Sequence, residues 1–188
     1  MDTENIPGYM AELNRAVSSL PVSQLETIAK VLESARDEGK NVYVFGNGDS
    51  ATNALHISMD LNKGTILPGK KRFRVITFNE NVPLMTAWTN DESYEAIFKQ
   101  QLENFLKPGE VVIGISGSGN SPNVLRAIEY ANSTGAITIG LTALGGGKLK
   151  SLAKHCIVVD TKSMEIAEDV HFIIGHMVKM FIIGRSHK

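Results

Sequence analysis

The chain has 188 residues, 43% hydrophobic and 21% charged, with 17 Gly and 6 Pro; this is an ordinary globular composition of one domain's size, and it excludes a disordered, collagen-like or multidomain chain. Nineteen Lys and Arg against twenty Asp and Glu leave a formal charge of −1, so there is no basic field to draw in nucleic acid or an anionic membrane, and a charged ligand must be captured locally. The single cysteine, Cys156, lies in the apolar run HCIVV, where it reads as a buried, inert thiol suited to a reducing cytoplasm.

The N-terminus, MDTENIPGYM, is acidic and lacks the apolar stretch of a signal peptide. Apolar residues at three-to-four-residue spacing predict helices over about 6–20 and 22–32, with Pro21 between them. Short apolar runs at 41–45, 73–78, 111–115, 136–141 and 156–159 predict buried strands. Helical patterns at about 50–61, 82–104 (broken near Asn90), 121–133 and 164–183 separate most of them. Such alternation predicts an α/β fold with a parallel sheet covered on both faces, because parallel strands need long crossovers that then cover the sheet. There is no repeat and no linker, so residues 1–188 read as a single domain. The most apolar stretch, 172–183, is too short to span a bilayer and carries His176 and Lys179; its apolarity predicts burial in a core or against a second subunit.

Two loops stand out. Gly46-Asn47-Gly48-Asp49-Ser50 follows the first strand and Ser116-Gly117-Ser118-Gly119-Asn120-Ser121 the third, each ahead of a helical pattern. At such a junction the free N–H groups and positive dipole end of the helix favour an anion, glycine lets backbone approach it, and serine hydroxyls donate to it. The plainer reading is that Ser50 and Ser121 cap helices and that the glycines make turns. Neither loop has the spacing of a dinucleotide or P-loop nucleotide site. Gly145-Gly146-Gly147-Lys148 also lacks it, and reads as a turn before a helix.

The pairing of VFGNGDSATNALHISMDL with GISGSGNSPNVLRAIEYANSTG, followed by TALGGGKLKSLA and IAEDVHFIIGH, resembles the sugar isomerase (SIS) domain, and within it the phosphoheptose isomerases, over about residues 5–183. The resemblance implies a three-layer αβα sandwich with a five-stranded parallel sheet, a homotetramer with active sites at subunit interfaces, and conversion of sedoheptulose 7-phosphate to a heptose 7-phosphate, with zinc or another divalent metal in many members. Position by position, it implies that Asn47, Ser50, Asp91, Ser116, Ser118, Ser121 and Glu165 contact substrate or its phosphate. It places His56, Asp60, Glu168 and His176 at metal-ligand positions, and Asp60 and His176 at the acid–base positions. Three residues depart from the family pattern: Asp60 stands for glutamate, Glu168 for glutamine and Gly64 for an arginine, with Lys63 as a partial substitute. The changed ligands leave open a second reading, a noncatalytic SIS module that binds a phosphosugar or a protein partner.

Geometry adds to this. His56 and Asp60 are four apart, on one helical face, as a shared ligand requires. Glu168 and His176 are eight apart, about 12 Å along a straight helix. Bringing both to one ion needs a helix break or a ligand from another subunit; otherwise only part of the site exists. His171 is either a competing ligand or a histidine on a polar helix edge. Ketose–aldose isomerisation needs a base, an acid for the oxygen and something to hold developing oxyanion charge, which Asp60, His176 and a divalent ion on His56 can supply.

Overall fold

In a computed structural model, which describes residues 3–185, the chain opens with two helices, α1 (Ile6–Ser18) and α2 (Val22–Glu38). Then follow β1 (Asn41–Gly46), α3 (Asp49–Met59) and a π-helical turn (Asp60–Gly64). The middle of the chain supplies β2 (Arg74–Thr77), α4 (Val82–Asp91), a 3-10 turn (Tyr94–Ala96), α5 (Ile97–Phe105) and β3 (Val111–Ile115). The last third is α6 (Pro122–Ser133), β4 (Ile137–Thr142), the single turn α7 (Leu149–Leu152), β5 (His155–Val158) and α8 (Met164–Arg185). The five strands form one all-parallel sheet in the order β2-β1-β3-β4-β5. The three-layer αβα fold expected from the sequence is present.

Alternation along the strands explains the layers. Val42, Val44, Ile113, Ile115, Ile139 and Leu141 face one core with α1, α2, α3 and α8, whereas Tyr43, Phe45 and Val112 face the other with α5, α6 and α7. From β1 the chain runs outward to β2 and then returns to β3 on the other side, so the strand order reverses between β1 and β3. Ligands of open α/β sheets bind at that reversal, beyond the strands' carboxyl ends. Both glycine–serine loops fall there.

The first face is tied down by polar bridges. Glu12 of α1, buried, receives Arg15 and the Thr161 hydroxyl, and Arg15 reaches Asp160 at 2.7 Å; Tyr9 donates to Asp169 of α8 at 2.6 Å. At the sheet's β2 edge, Asn62 of the π-helical turn accepts from the Val75 N–H at 2.9 Å and donates to its carbonyl at 2.8 Å. The Gly145–Lys148 segment is the expected turn before a helix, and it also backs the serine loop: Leu149 N–H donates to the Gly119 carbonyl and Lys148 N–H to the Asn120 side chain. Gly119 has φ +65° and lies so close to the Gly146 carbonyl that a Cβ would collide with it.

Candidate functional site

The second loop folds its three serines toward one another. Ser116 Oγ lies 2.9 Å from Ser121 Oγ and 3.5 Å from Ser118 Oγ. Ser121 occupies the N-cap position of α6 but makes no capping hydrogen bond; its hydroxyl turns into this cluster instead. Ser50 lies inside the first turn of α3, where Gly48 holds the cap position. Helix capping therefore does not account for either serine. Asn47 exchanges two side-chain hydrogen bonds with Asn123 of α6, at 2.9 and 2.8 Å, and accepts one from Tyr94. This joins the two loops across the strand reversal. Asn123 and Tyr94 carried no motif, and only the topology reveals them.

A second cluster lies between α3 and α8. His56 Nε2 and His176 Nε2 are 2.9 Å apart, and each is 3.4 Å from Asp60 Oδ2. They meet because α8 approaches α3 closely at Gly175, where a Cβ would stand 3.0 Å from Ile57 Cγ1. Phe172, one turn before His176, stacks on His56 with ring centroids 4.0 Å apart and meets His176 edge-on. The Asp60 carboxylate is 5% exposed; its Oδ1 accepts from Lys179 at 2.8 Å, while its buried Oδ2 has no hydrogen-bond partner.

An orphaned buried carboxylate oxygen facing two imidazole nitrogens fits a divalent cation. Ligand atoms around a tetrahedral zinc ion, at about 2.0–2.1 Å from the metal, stand roughly 3.3–3.4 Å apart, as Asp60 Oδ2 does from both imidazoles; the two Nε2 atoms, at 2.9 Å, stand at hydrogen-bond distance and would part slightly to admit the ion. With three protein ligands such a site keeps an open position for substrate.

Glu168 stands apart from this cluster. α8 runs unbroken through it, and Phe172 fills the turn between Glu168 and His176, so the reach along a straight helix that the sequence made doubtful is not achieved within one chain. Glu168 lines instead a cleft of about 390 Å³ with Asp49, Glu165 and Asp169. Burial, and then the charge and hydrogen bond of Asp49, push its carboxyl above the usual range. Glu165 is exposed and bonded to Ser163, whose hydroxyl holds its carboxyl below the usual range. Asp91 is exposed at the end of α4, bonded to the Asn90 amide. The structure therefore gathers the three serines in one place and His56, Asp60 and His176 in another. Met164 of α8 touches Gly117, and His176 is twelve residues on, about 18 Å along the helix.

His171 is neither a ligand nor on a polar edge. It is fully buried against the sheet with neither ring nitrogen hydrogen-bonded, and burial pulls it down to about 4. Lys63 is exposed; the ammonium beside Asp60 belongs to Lys179. The one signal for Lys179 in the sequence was a charge one turn past His176 in the otherwise apolar stretch 172–183.

A doubly wound parallel sheet with a serine loop at its strand reversal is the architecture of the sugar isomerase domains, and the SIS domain model matches residues 8–143. The chain belongs to the SIS domain family. Within that family it falls among the phosphoheptose isomerases: it is 38% identical over 170 residues to a probable phosphoheptose isomerase of Thermoplasma acidophilum, covering 90% of this chain and 93% of that one. It is 34% identical over 168 residues to the phosphoheptose isomerase of Aquifex aeolicus, covering 89% and 87% of the two chains. The structure of a phosphoheptose isomerase from Francisella tularensis superposes with a TM-score of 0.85 at 25% identity, covering 93% of this chain and 92% of the other. Among the described residues no helix is long and apolar enough to cross a membrane.

Proposed function

We propose that this protein is an aldose–ketose isomerase of the phosphoheptose type, interconverting sedoheptulose 7-phosphate and a heptose 7-phosphate through an enediol. The observation that carries the reading is the buried Asp60 carboxylate facing two imidazoles on the α3–α8 seam. Ser116, Ser118 and Ser121 hold the phosphate by neutral hydrogen bonds, which suits a protein with no excess of positive charge. Asn47, Ser50, Asp91 and Glu165 contact the sugar.

The Asp60 carboxylate removes the proton from the carbon next to the carbonyl and returns it to the neighbouring carbon. His176 moves the second proton between the two oxygens. A divalent ion, zinc by its donor set, held by His56, Asp60 and His176 would polarise the substrate carbonyl. Phe172 packs against both imidazoles and keeps their orientation. Glu168, expected as a fourth ligand, is assigned no role at the ion in its own chain.

The separation of the serine loop from the histidine cluster along α8 favours a site completed by a second copy. So do the exposed Ile6, Met10 and Val22 of α1 and α2 and the exposed Met180 of α8. The expected assembly is a cytoplasmic homotetramer with active sites at its interfaces. Light scattering at micromolar concentration tests it, and a stable monomer refutes it.

The activity is tested by proton exchange from C1 of ketose phosphates into deuterated water, followed by NMR with metal supplied. Exchange well above the buffer rate is expected. Exchange no faster than buffer across five- to seven-carbon phosphates would leave a sugar-phosphate-binding module in its place.

A further inference from the structure

Lys179 has no place in the chemistry above, yet it donates a hydrogen bond to Oδ1 of the Asp60 carboxylate at 2.8 Å, with only 23% of its own side chain exposed. Its stem runs over Gly64. A Cβ on Gly64 would stand 3.0 Å from Lys179 Cε, 3.3 Å from Cδ and 3.4 Å from Nζ. Gly64 is not among the glycines with positive φ, so the backbone does not demand glycine there; the absent side chain is the room through which Lys179 reaches Asp60. The two oxygens of one buried carboxylate are thereby divided, Oδ1 to a cation and Oδ2 to the imidazoles.

We propose that Lys179 is a positioning residue that confines Asp60 to ligation through Oδ2 alone and, by its charge, weakens the hold of this site on a divalent ion. The proposal rests on the reading that His56, Asp60 and His176 bind such an ion. Outer partners of histidine ligands are ordinarily carboxylates or carbonyls that raise the ligand's basicity, and ligating carboxylates ordinarily accept hydrogen bonds that orient them. Lys179 orients Asp60 in that way but brings a full charge: it draws electron density from the carboxylate and sets a second positive charge beside the ion in a poorly solvated site, where like charges repel strongly. The site is thus held electron-poor, which favours an oxyanion at its open position.

The test is a Zn²⁺ titration of the full chain in competition with a chromophoric chelator at fixed pH and salt, on the wild type and on K179M, K179R, G64A and H56A. Thermal melts without metal check that each is folded. K179M keeps the length of the side chain, loses the charge and frees Oδ1; it should bind Zn²⁺ about tenfold or more tightly than wild type. K179R keeps the charge and should stay within about threefold of wild type on the same argument. G64A leaves Lys179 in the chain but crowds its path, and should move affinity in the direction of K179M. K179M binding no more tightly than wild type, or K179R matching K179M, overturns the proposal. If wild type binds Zn²⁺ and H56A does not, that failure is specific to Lys179. If no variant binds Zn²⁺, the ion site itself is refuted and the proposal with it.

Discussion

Gly175→Val tests whether the close approach of α3 and α8 is what assembles the histidine cluster. A Cβ at 175 would lie 3.0 Å from Ile57 Cγ1 and 3.7 Å from Cδ1, and Ile57 is buried on the opposite side by the sheet core, so it has little room to retreat. Two further methyl groups make this overpacking, which costs about 1–3 kcal/mol. Valine is the better helix residue by about a few tenths of a kcal/mol, too little to reverse the sign. The net loss of roughly 0.5–2.5 kcal/mol corresponds to a melting point lower by about 1–10 °C for a domain of this size. Because His176 is the next residue, the same displacement widens the 2.9 Å gap between the two Nε2 atoms, and Zn²⁺ affinity should fall. Ile57→Ala alone should cost about 2–5 kcal/mol, but combined with Gly175→Val it vacates the space the valine needs. The double variant should therefore be more stable than the sum of the singles by about 1 kcal/mol or more. Calorimetric melts and the chelator titration, run on all four proteins, provide the readout. Gly175→Val melting at or above wild type with unchanged Zn²⁺ affinity would show that the contact at Gly175 does not set the site.

Replacing Ser118 and Ser121 together by Ala should weaken binding of a sugar phosphate by about 5- to 150-fold, at roughly 0.5–1.5 kcal/mol for each neutral hydrogen bond; unchanged affinity by calorimetry would remove this loop from the site. His176→Gln should cut turnover by about 10² to 10⁴ with little change in KM, as expected of a group that acts in the transition state, and steady-state kinetics decide it. Glu12 is held down to about 2, chiefly by its hydrogen bonds from Arg15 and with help from Thr161, against an ordinary value of 4.5. Its contribution to stability is therefore fully present above pH 4.5 and is lost as pH falls toward 2. Glu12→Gln should flatten that acid limb of a melting-temperature profile, and a limb of unchanged slope would refute the assignment.

The alternation of short apolar runs with helical patterns was legible because each strand lies between two helical layers, and all five strands fall within one residue of their expected bounds at both ends. The break expected near Asn90 is real: α4 stops at Asp91 and a 3-10 turn precedes α5. The second helix runs six residues past its expected end because Ala35 and Arg36 remain buried there despite the surrounding charges. Four-residue spacing correctly paired His56 with Asp60, while the pairing of both with His176 rests on the resemblance, since it depends on a tertiary approach at Gly175. Glu168 shows the limit of matching by position: it has the right place in the chain, but Phe172 and an unbroken helix keep it from the cluster. His171 was misread because polarity suggested an exposed edge, whereas its phase on α8 turns it into the core. Lys179 showed in the sequence only as a charge in an apolar stretch, and its contact with Asp60 could not be read there because what admits it is an absent side chain more than a hundred residues away.

The Asn62 amide, which bonds both the N–H and the carbonyl of Val75 on the open side of β2, acts as a one-residue imitation of a neighbouring strand. An uncovered edge of this kind is where foreign chains add themselves to a sheet, and proteins that leave one bare aggregate. Here the guard sits in the same five-residue π-helical turn that begins with Asp60 and ends with Gly64. Shortening that turn to an ordinary α-helical one would rotate Asn62 off the edge while disturbing the carboxylate. Solubility and the geometry of the proposed ion site are thus inherited together, and variants that alter the turn around Asp60 are expected to lose soluble yield along with Zn²⁺ affinity.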